Sequence, residues 1–230
     1  MRTERIIGNR ASCVYGDDRA SAVLIQAVGE HELEALDQEV ERIRELASNR
    51  RFLLVAFRIA DWNRELSPWE APAVFGKERF GSGAKDTLAY ITESLLPEIE
   101  RSYPAGAGRR YCLGGYSLAG LFALWAAYQT GRFHGIAAVS PSVWFPEWMR
   151  FAEEHEIQSP LVYLSLGDRE EKTRNKVMAE VGGNIRRQHE ALRRDAAIKA
   201  CALEWNPGNH FADCEIRTAK GFAWLLNRMS

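Results

Sequence analysis

The chain has 230 residues, 30 basic against 31 acidic, and a hydrophobic content of 46%. That length suits one large α/β domain, and the apolar fraction supplies a sizeable core and excludes global disorder. The near-neutral balance offers no general footing for nucleic acid or an anionic membrane, and no run approaches the roughly 18 apolar residues of a membrane helix.

The first residues, Met1-Arg2-Thr3-Glu4-Arg5-Ile6-Ile7, carry charges but no apolar stretch of the signal-peptide kind. The four cysteines (Cys13, Cys112, Cys201 and Cys214) include no C-x-x-C pair, and Cys112 and Cys201 fall in apolar, strand-like runs. The expectation is a reduced, cytoplasmic protein. A metal site from Cys201, His210 and Cys214 would lack the close pairs that anchor zinc, and nothing demands a metal or an organic cofactor.

Along the chain, Ala11 to Tyr15 and Ala20 to Val28 are apolar runs separated by the turn residues Gly16-Asp17-Asp18, which predicts a hairpin. Leu33, Leu36, Val40, Ile43, Leu46 and Ala47 recur at helical spacing among charges, and Phe52 to Phe57 is a continuous apolar strand. Strand, helix, strand in that order is a βαβ unit. Arg58 to Gly83 has no helical period but carries Trp62, Trp69, Phe75 and Phe80, and a loop this long is usually functional or mobile.

Ala84 to Tyr103 reads as a helix that Pro97 kinks or divides. Arg109 to Gly114 is a strand and Leu118 to Gln129 a helix. Gly135 to Ser140 is a strand leading into Ser140-Pro141-Ser142-Val143-Trp144-Phe145. Leu161 to Leu166 is the next strand, ending at Gly167-Asp168-Arg169-Glu170-Glu171-Lys172. A long charged helix follows over Arg174 to Asp195, weakened in its middle by Gly182-Gly183, then a strand over Ile198 to Trp205 and an apolar helix over Ala219 to Leu226. The alternation implies an α/β fold, a mostly parallel sheet with helices on both faces, in one domain over residues 1–230.

In such a sheet, functional groups gather on loops at the carboxyl ends of strands. Gly114-Gly115-Tyr116-Ser117-Leu118-Ala119-Gly120 places a serine at a strand-to-helix corner between small residues, the pattern of a G-x-S-x-G nucleophile elbow with alanine for the second glycine. A serine hydroxyl needs an adjacent base, and the base needs a carboxylate to hold its tautomer. Asp168 to Glu171 follow a later strand, and His210 follows the last one within Pro-Gly-Asn-His-Phe. His31, His134, His155 and His189 lie in helical, charged or turn surroundings. The order serine, acid, histidine is that of α/β-hydrolases.

The elbow, the Ser-Pro-Ser-Val-Trp-Phe stretch at 140–145, Gly167-Asp168-Arg169-Glu170 and Asn209-His210-Phe211 together resemble the putative-esterase family of α/β-hydrolases. That family takes in esterase D-type enzymes, feruloyl esterases and siderophore esterases, and the resemblance runs from about Phe52 to the C-terminus. Arg64-Glu65-Leu66-Ser67-Pro68-Trp69 is similar to a loop of the siderophore branch. The chain departs from that branch in lacking its aspartate-glycine step after the first long strand and the N-terminal extension that some members use. The resemblance implies Ser117 as nucleophile, His210 as base and Glu170 as acid, with Asp168 and Glu171 as alternatives. The oxyanion donors expected are the N–H of Leu118 and one near Arg58 or Ile59. Trp62, Trp69, Trp144 and Trp148 are candidates for the substrate rim, or else for core or homo-oligomer packing. The expected activity is cleavage of a small-molecule carboxylic ester. Acyl transfer on the same residues and a non-catalytic binding protein of the same fold are the alternatives.

Overall fold

Eight strands form one sheet in the computed structural model, which describes residues 2–48, 50–103 and 108–229. They are β1 (Arg2–Ile7), β2 (Arg10–Gly16), β3 (Ala22–Val28), β4 (Phe52–Arg58), β5 (Arg110–Tyr116), β6 (Phe133–Val139), β7 (Leu161–Gly167) and β8 (Ala200–Asn206). Their spatial order is β1-β2-β4-β3-β5-β6-β7-β8. β2 is antiparallel to β1 and to β4, and every other pair is parallel.

The helices are α1 (Glu30–Leu46), α2 (Trp62–Glu65), α3 (Ala84–Tyr90), α4 (Leu96–Ser102), α5 (Leu118–Gln129), α6 (Trp148–Glu154), α7 (Lys176–Ala179), α8 (Val181–Arg194) and α9 (Cys214–Arg228). Successive strand residues point to opposite faces. Val23, Ile25 and Ala27 of β3 therefore join one core with residues of α3, α4, α5 and α8, while Leu24 and Val28 join a second with α1 and α9. Both faces being covered is why β3 and β4 are apolar without alternation. Residues 118–128 of α5 are buried all round, as expected of a helix enclosed on every side. No helix among the described residues is long and apolar enough to cross a membrane.

The βαβ unit expected around α1 is present, with Ile25 of β3 paired to Val55 of β4. The expected hairpin of β2 with β3 is not. β2 pairs instead with β1 and β4, and β3 lies between β4 and β5. The physical reason is burial: β3, apolar but for Gln26 and buried along its whole length, needs two covered faces in the middle of the sheet, whereas the charged β1 tolerates the edge.

Three helices also differ in extent. The 84–103 segment is divided by one wide, π-helical turn, Ile91–Leu95, into α3 and α4. Pro97 sits in the first turn of α4, where its missing N–H and its ring are accommodated by the widened turn before it. The 174–195 segment breaks at Glu180 rather than at its glycines. Gly182 lies in the first turn of α8, where an added Cβ would run into the Glu171 carboxylate. The final helix begins at Cys214, five residues earlier than its apolar core suggests, and so includes Arg217.

Candidate active site

Ser117 ends the β5-to-α5 corner with φ 57° and ψ −120°, a conformation that L-residues adopt only under constraint. The constraint is visible. Ser117 N–H donates to Val139 O at 3.0 Å, and Ser117 O accepts from Ser142 N–H at 3.1 Å. The corner is close-packed: a Cβ on Gly115 would meet the Ala119 methyl at 2.6 Å, and one on Gly120 would meet Gly115 O at 2.9 Å. The methyl of Ala119 thus occupies space that the absent side chain of Gly115 leaves open. Alanine at that position follows from glycine at the other.

His210 sits between two partners from distant parts of the chain. Ser117 Oγ–H donates to its Nε2 at 3.0 Å, and its Nδ1–H donates to Glu170 Oε2 at 2.7 Å, the tautomer being assigned from the carboxylate acceptor. Glu170 lies in a 3₁₀ turn just after β7 and is buried. Its Oε1 accepts from Ser140 Oγ and Gly167 N–H, both at 2.7 Å, and from Arg217 Nη1 at 3.3 Å. Burial by itself would raise the Glu170 carboxyl. The hydrogen bond and charge of His210, with the hydrogen bonds from Ser140 Oγ–H and Gly167 N–H, outweigh it and leave the group below the usual carboxylate range.

The other two acids of that loop are engaged elsewhere. Asp168 is exposed, and its Oδ1 accepts from Gly208 N–H at 2.9 Å. Asp168 N–H donates to Asn206 O and Arg169 N–H to Gly208 O, so this stretch fastens the loop after β7 to the loop carrying His210. Gly208 has φ 106°, which a side chain would strain. Glu171 pairs with Arg186 through both carboxylate oxygens, at 2.8 and 3.0 Å.

Sequence reasoning missed Arg217 because it placed that residue outside the last helix. Arg217 is 1% exposed and donates also to Tyr116 Oη and to Pro207 O. Tyr116 in turn donates to His210 O at 2.7 Å. One buried arginine therefore braces the carboxylate and both ends of the histidine loop. Ser142, also missed as a site residue, is buried with its hydroxyl 3.4 Å from Ser117 Oγ.

A cavity of 290 Å³ opens over Ser117, Leu118 and His210, walled by Trp62, Phe80, Trp144 and Phe211. Trp69 stands outside this lining. Its Nε1–H donates to Pro146 O, and its ring packs on Phe145 and Phe151, which anchors the long loop to the body. Trp148 is wholly buried and donates to Gln188 Oε1. A roomier hollow of 670 Å³ at the amino ends of β3 and β5 is lined by Arg19, Arg50, Arg51 and Arg110, and its lining holds no histidine.

Leu118, at the first position of α5, presents an N–H that the helix leaves without an internal partner. Ile59, the other expected oxyanion donor, is committed: its N–H donates to Val28 O at 2.9 Å and continues the β3–β4 ladder. The N–H groups of Ala60 and Asp61 are likewise taken, by Glu65 Oε1.

Residues 29–206 match the family model described as Putative esterase. No curated protein matches the chain. Among solved structures, siderophore hydrolase EstA from Aspergillus nidulans superposes with a TM-score of 0.78 at 18% identity, over 100% of this chain and 95% of that one. Siderophore hydrolase EstB from the same organism gives 0.76 at 16%, over 97% and 93%. The enterobactin esterase FES from Shigella flexneri gives 0.68 at 16%, over 97% of this chain and 59% of that one. At such identities the likeness is one of fold. The chain belongs to the putative-esterase family and is a carboxylic ester hydrolase of the α/β-hydrolase fold.

Proposed function

We propose that the protein is a serine hydrolase that cleaves a carboxylic ester through an acyl-enzyme, with Ser117 as nucleophile, His210 as base and Glu170 as the orienting acid. One observation carries this reading: His210 bridges the Ser117 hydroxyl and a buried carboxyl group through its two ring nitrogens. Nε2 takes the serine proton as Oγ attacks the carbonyl carbon, and Glu170 stabilises the imidazolium that forms. Nε2–H then protonates the departing alkoxide, and water repeats the sequence on the acyl-enzyme. Leu118 N–H is the first donor to the oxyanion. With Ile59 committed, Asn63, which lines the same cavity, is the residue proposed for the second.

The aromatic walls suit a compact apolar acyl group. Two solved structures of this fold are siderophore hydrolases, so trilactones belong in an ester panel beside simple aryl esters. The test is labelling with a fluorophosphonate together with turnover of p-nitrophenyl butyrate. The expected result is one label on Ser117 and turnover that Ser117→Ala abolishes. Folded protein that takes no label, or a Ser117→Ala variant with undiminished turnover, overturns the reading.

A further inference from the structure

His210 and Phe211 form a wall shared by two cavities. One is the 290 Å³ apolar cavity over Ser117. The second, of 310 Å³, shares that wall together with Trp144 and Met178, and adds Arg169, Lys172, Thr173 and Asn209. Ser117, Leu118 and Ser142 line only the first.

The two cavities differ in charge. No arginine or lysine lines the first, whereas two line the second. The acids adjacent in sequence form no ion pair with them. Glu171 is held by Arg186, and Glu170, although it touches the second cavity, is buried with Oε2 on His210 and Oε1 on Ser140, Gly167 and Arg217. Asp168 Oδ1 is held by Gly208 N–H. Among the described residues neither Arg169 nor Lys172 has a carboxylate within ion-pair distance. Their backbone is nonetheless pinned, Arg169 N–H to Gly208 O and Lys172 N–H to Arg169 O, so the two cations are presented from a fixed turn.

The chemistry of ester cleavage decides which half of a substrate meets them. The acyl carbon must lie on Ser117 beside the Leu118 N–H, in the apolar cavity. The departing oxygen must lie on His210 Nε2, which protonates it. The alcohol half therefore lies beside His210, the residue that the second cavity shares with the first. From this we propose that Arg169 and Lys172 form an anion subsite for the alcohol half, so that the preferred substrate joins an apolar acyl group to an alcohol bearing a carboxylate or a phosphate. The proposal rests on the hydrolase reading above and assigns the polarity of its substrate. Both cations are exposed, so each contributes modestly, and their joint effect is screened by salt.

The test compares benzoyl esters with the same acyl group and different alcohols: 3-hydroxypropanoate, 3-hydroxypropyl phosphate and the neutral 3-hydroxypropanamide. The intact protein should favour the anionic esters by about fivefold to tenfold in kcat/KM, mostly through KM. Arg169→Gln/Lys172→Gln should erase that preference and leave the neutral ester unchanged, and 0.5 M NaCl should mimic the double variant. The carboxylate and phosphate arms show which anion is preferred. Equal rates for charged and neutral esters, or a preference that survives the double variant, overturn the proposal. Calorimetry on Ser117→Ala separates it from the hydrolase reading. Tighter binding of the anionic than of the neutral ester there, lost with both cations, supports the subsite even without turnover; equal binding refutes it.

Discussion

Arg217 Nη1 lies 3.3 Å from Glu170 Oε1, and both side chains are almost entirely withdrawn from water. A guanidinium buried to this degree is stable only because it is paired, and it also ties down Tyr116 and Pro207. Arg217→Met removes one partner of a buried pair and should cost about 3–5 kcal/mol of stability. At a temperature where the variant stays folded, kcat should fall more than tenfold, and the acid limb of its pH–rate profile should move upward as Glu170 loses a neighbouring cation. A profile unchanged in shape would restrict Arg217 to a structural role.

The three acids after β7 are separable by substitution. Glu170→Gln keeps one amide oxygen, which Ser140, Gly167 and Arg217 hold at the Oε1 position, so its NH2 faces His210 Nδ1 and the wrong tautomer is favoured; kcat should fall by about 10³–10⁴-fold with little change in KM. Asp168→Asn keeps an oxygen for Gly208 N–H and should leave kcat within about twofold. Steady-state kinetics on one aryl ester decide between them, and a larger loss at Asp168 would contradict the assignment.

The packing at the elbow predicts an asymmetry between two alanine–glycine exchanges. Gly115→Ala forces a methyl to within 2.6 Å of the Ala119 methyl and should destabilise the fold by about 1–3 kcal/mol while displacing Ser117. Ala119→Gly removes a buried methyl that fits and should cost about 1 kcal/mol, with activity largely retained. Urea unfolding and fluorophosphonate labelling rates read both effects.

Another buried carboxyl, which is not hydrogen-bonded to Ser117, His210 or Glu170, gives the protein a pH-dependent stability. Gln26 Nε2 donates to Glu39 Oε2 at 3.3 Å between β3 and α1, and burial pushes the Glu39 carboxyl up to about 8. Gln26 Oε1 and Glu39 Oε1 have no other partner, which suits a neutral acid whose O–H turns to the amide oxygen. Between the ordinary value of 4.5 and the raised value, the unfolded state binds fewer protons than the folded one, so stability falls as pH rises through that window. Glu39→Gln cannot ionise. Its urea midpoint should stay nearly flat from pH 5 to 8 while that of the parent falls, and parallel curves would contradict a raised Glu39.

Much of the architecture is local in origin and was therefore legible in the residues themselves. Helical spacing of apolar residues marked α1, a continuous apolar run marked β4, and the small residues around Ser117 marked the corner that leads into α5, because close approach of strand and helix leaves room for nothing larger. The order serine, acid, histidine followed from which strands the three loops succeed. Residue type alone could not rank Asp168, Glu170 and Glu171, which differ by one or two positions and share the same chemistry. Tertiary structure sets them apart in geometry, since of the three only Glu170 is hydrogen-bonded to a histidine, 40 residues away in the chain. The same holds for Trp69 and Trp148, whose rings point to Phe145 and Gln188 rather than to the site, and for Ile59, whose N–H the sheet ladder claims. Arg217 stands just before the helix that apolar spacing marks, and it meets Glu170 only because α9 starts at Cys214 and packs on the sheet. Sequence determined which groups were available and roughly where the chain turns. Which of them meet was decided by long-range packing, because burial and hydrogen-bond satisfaction are properties of the whole fold and not of any one segment.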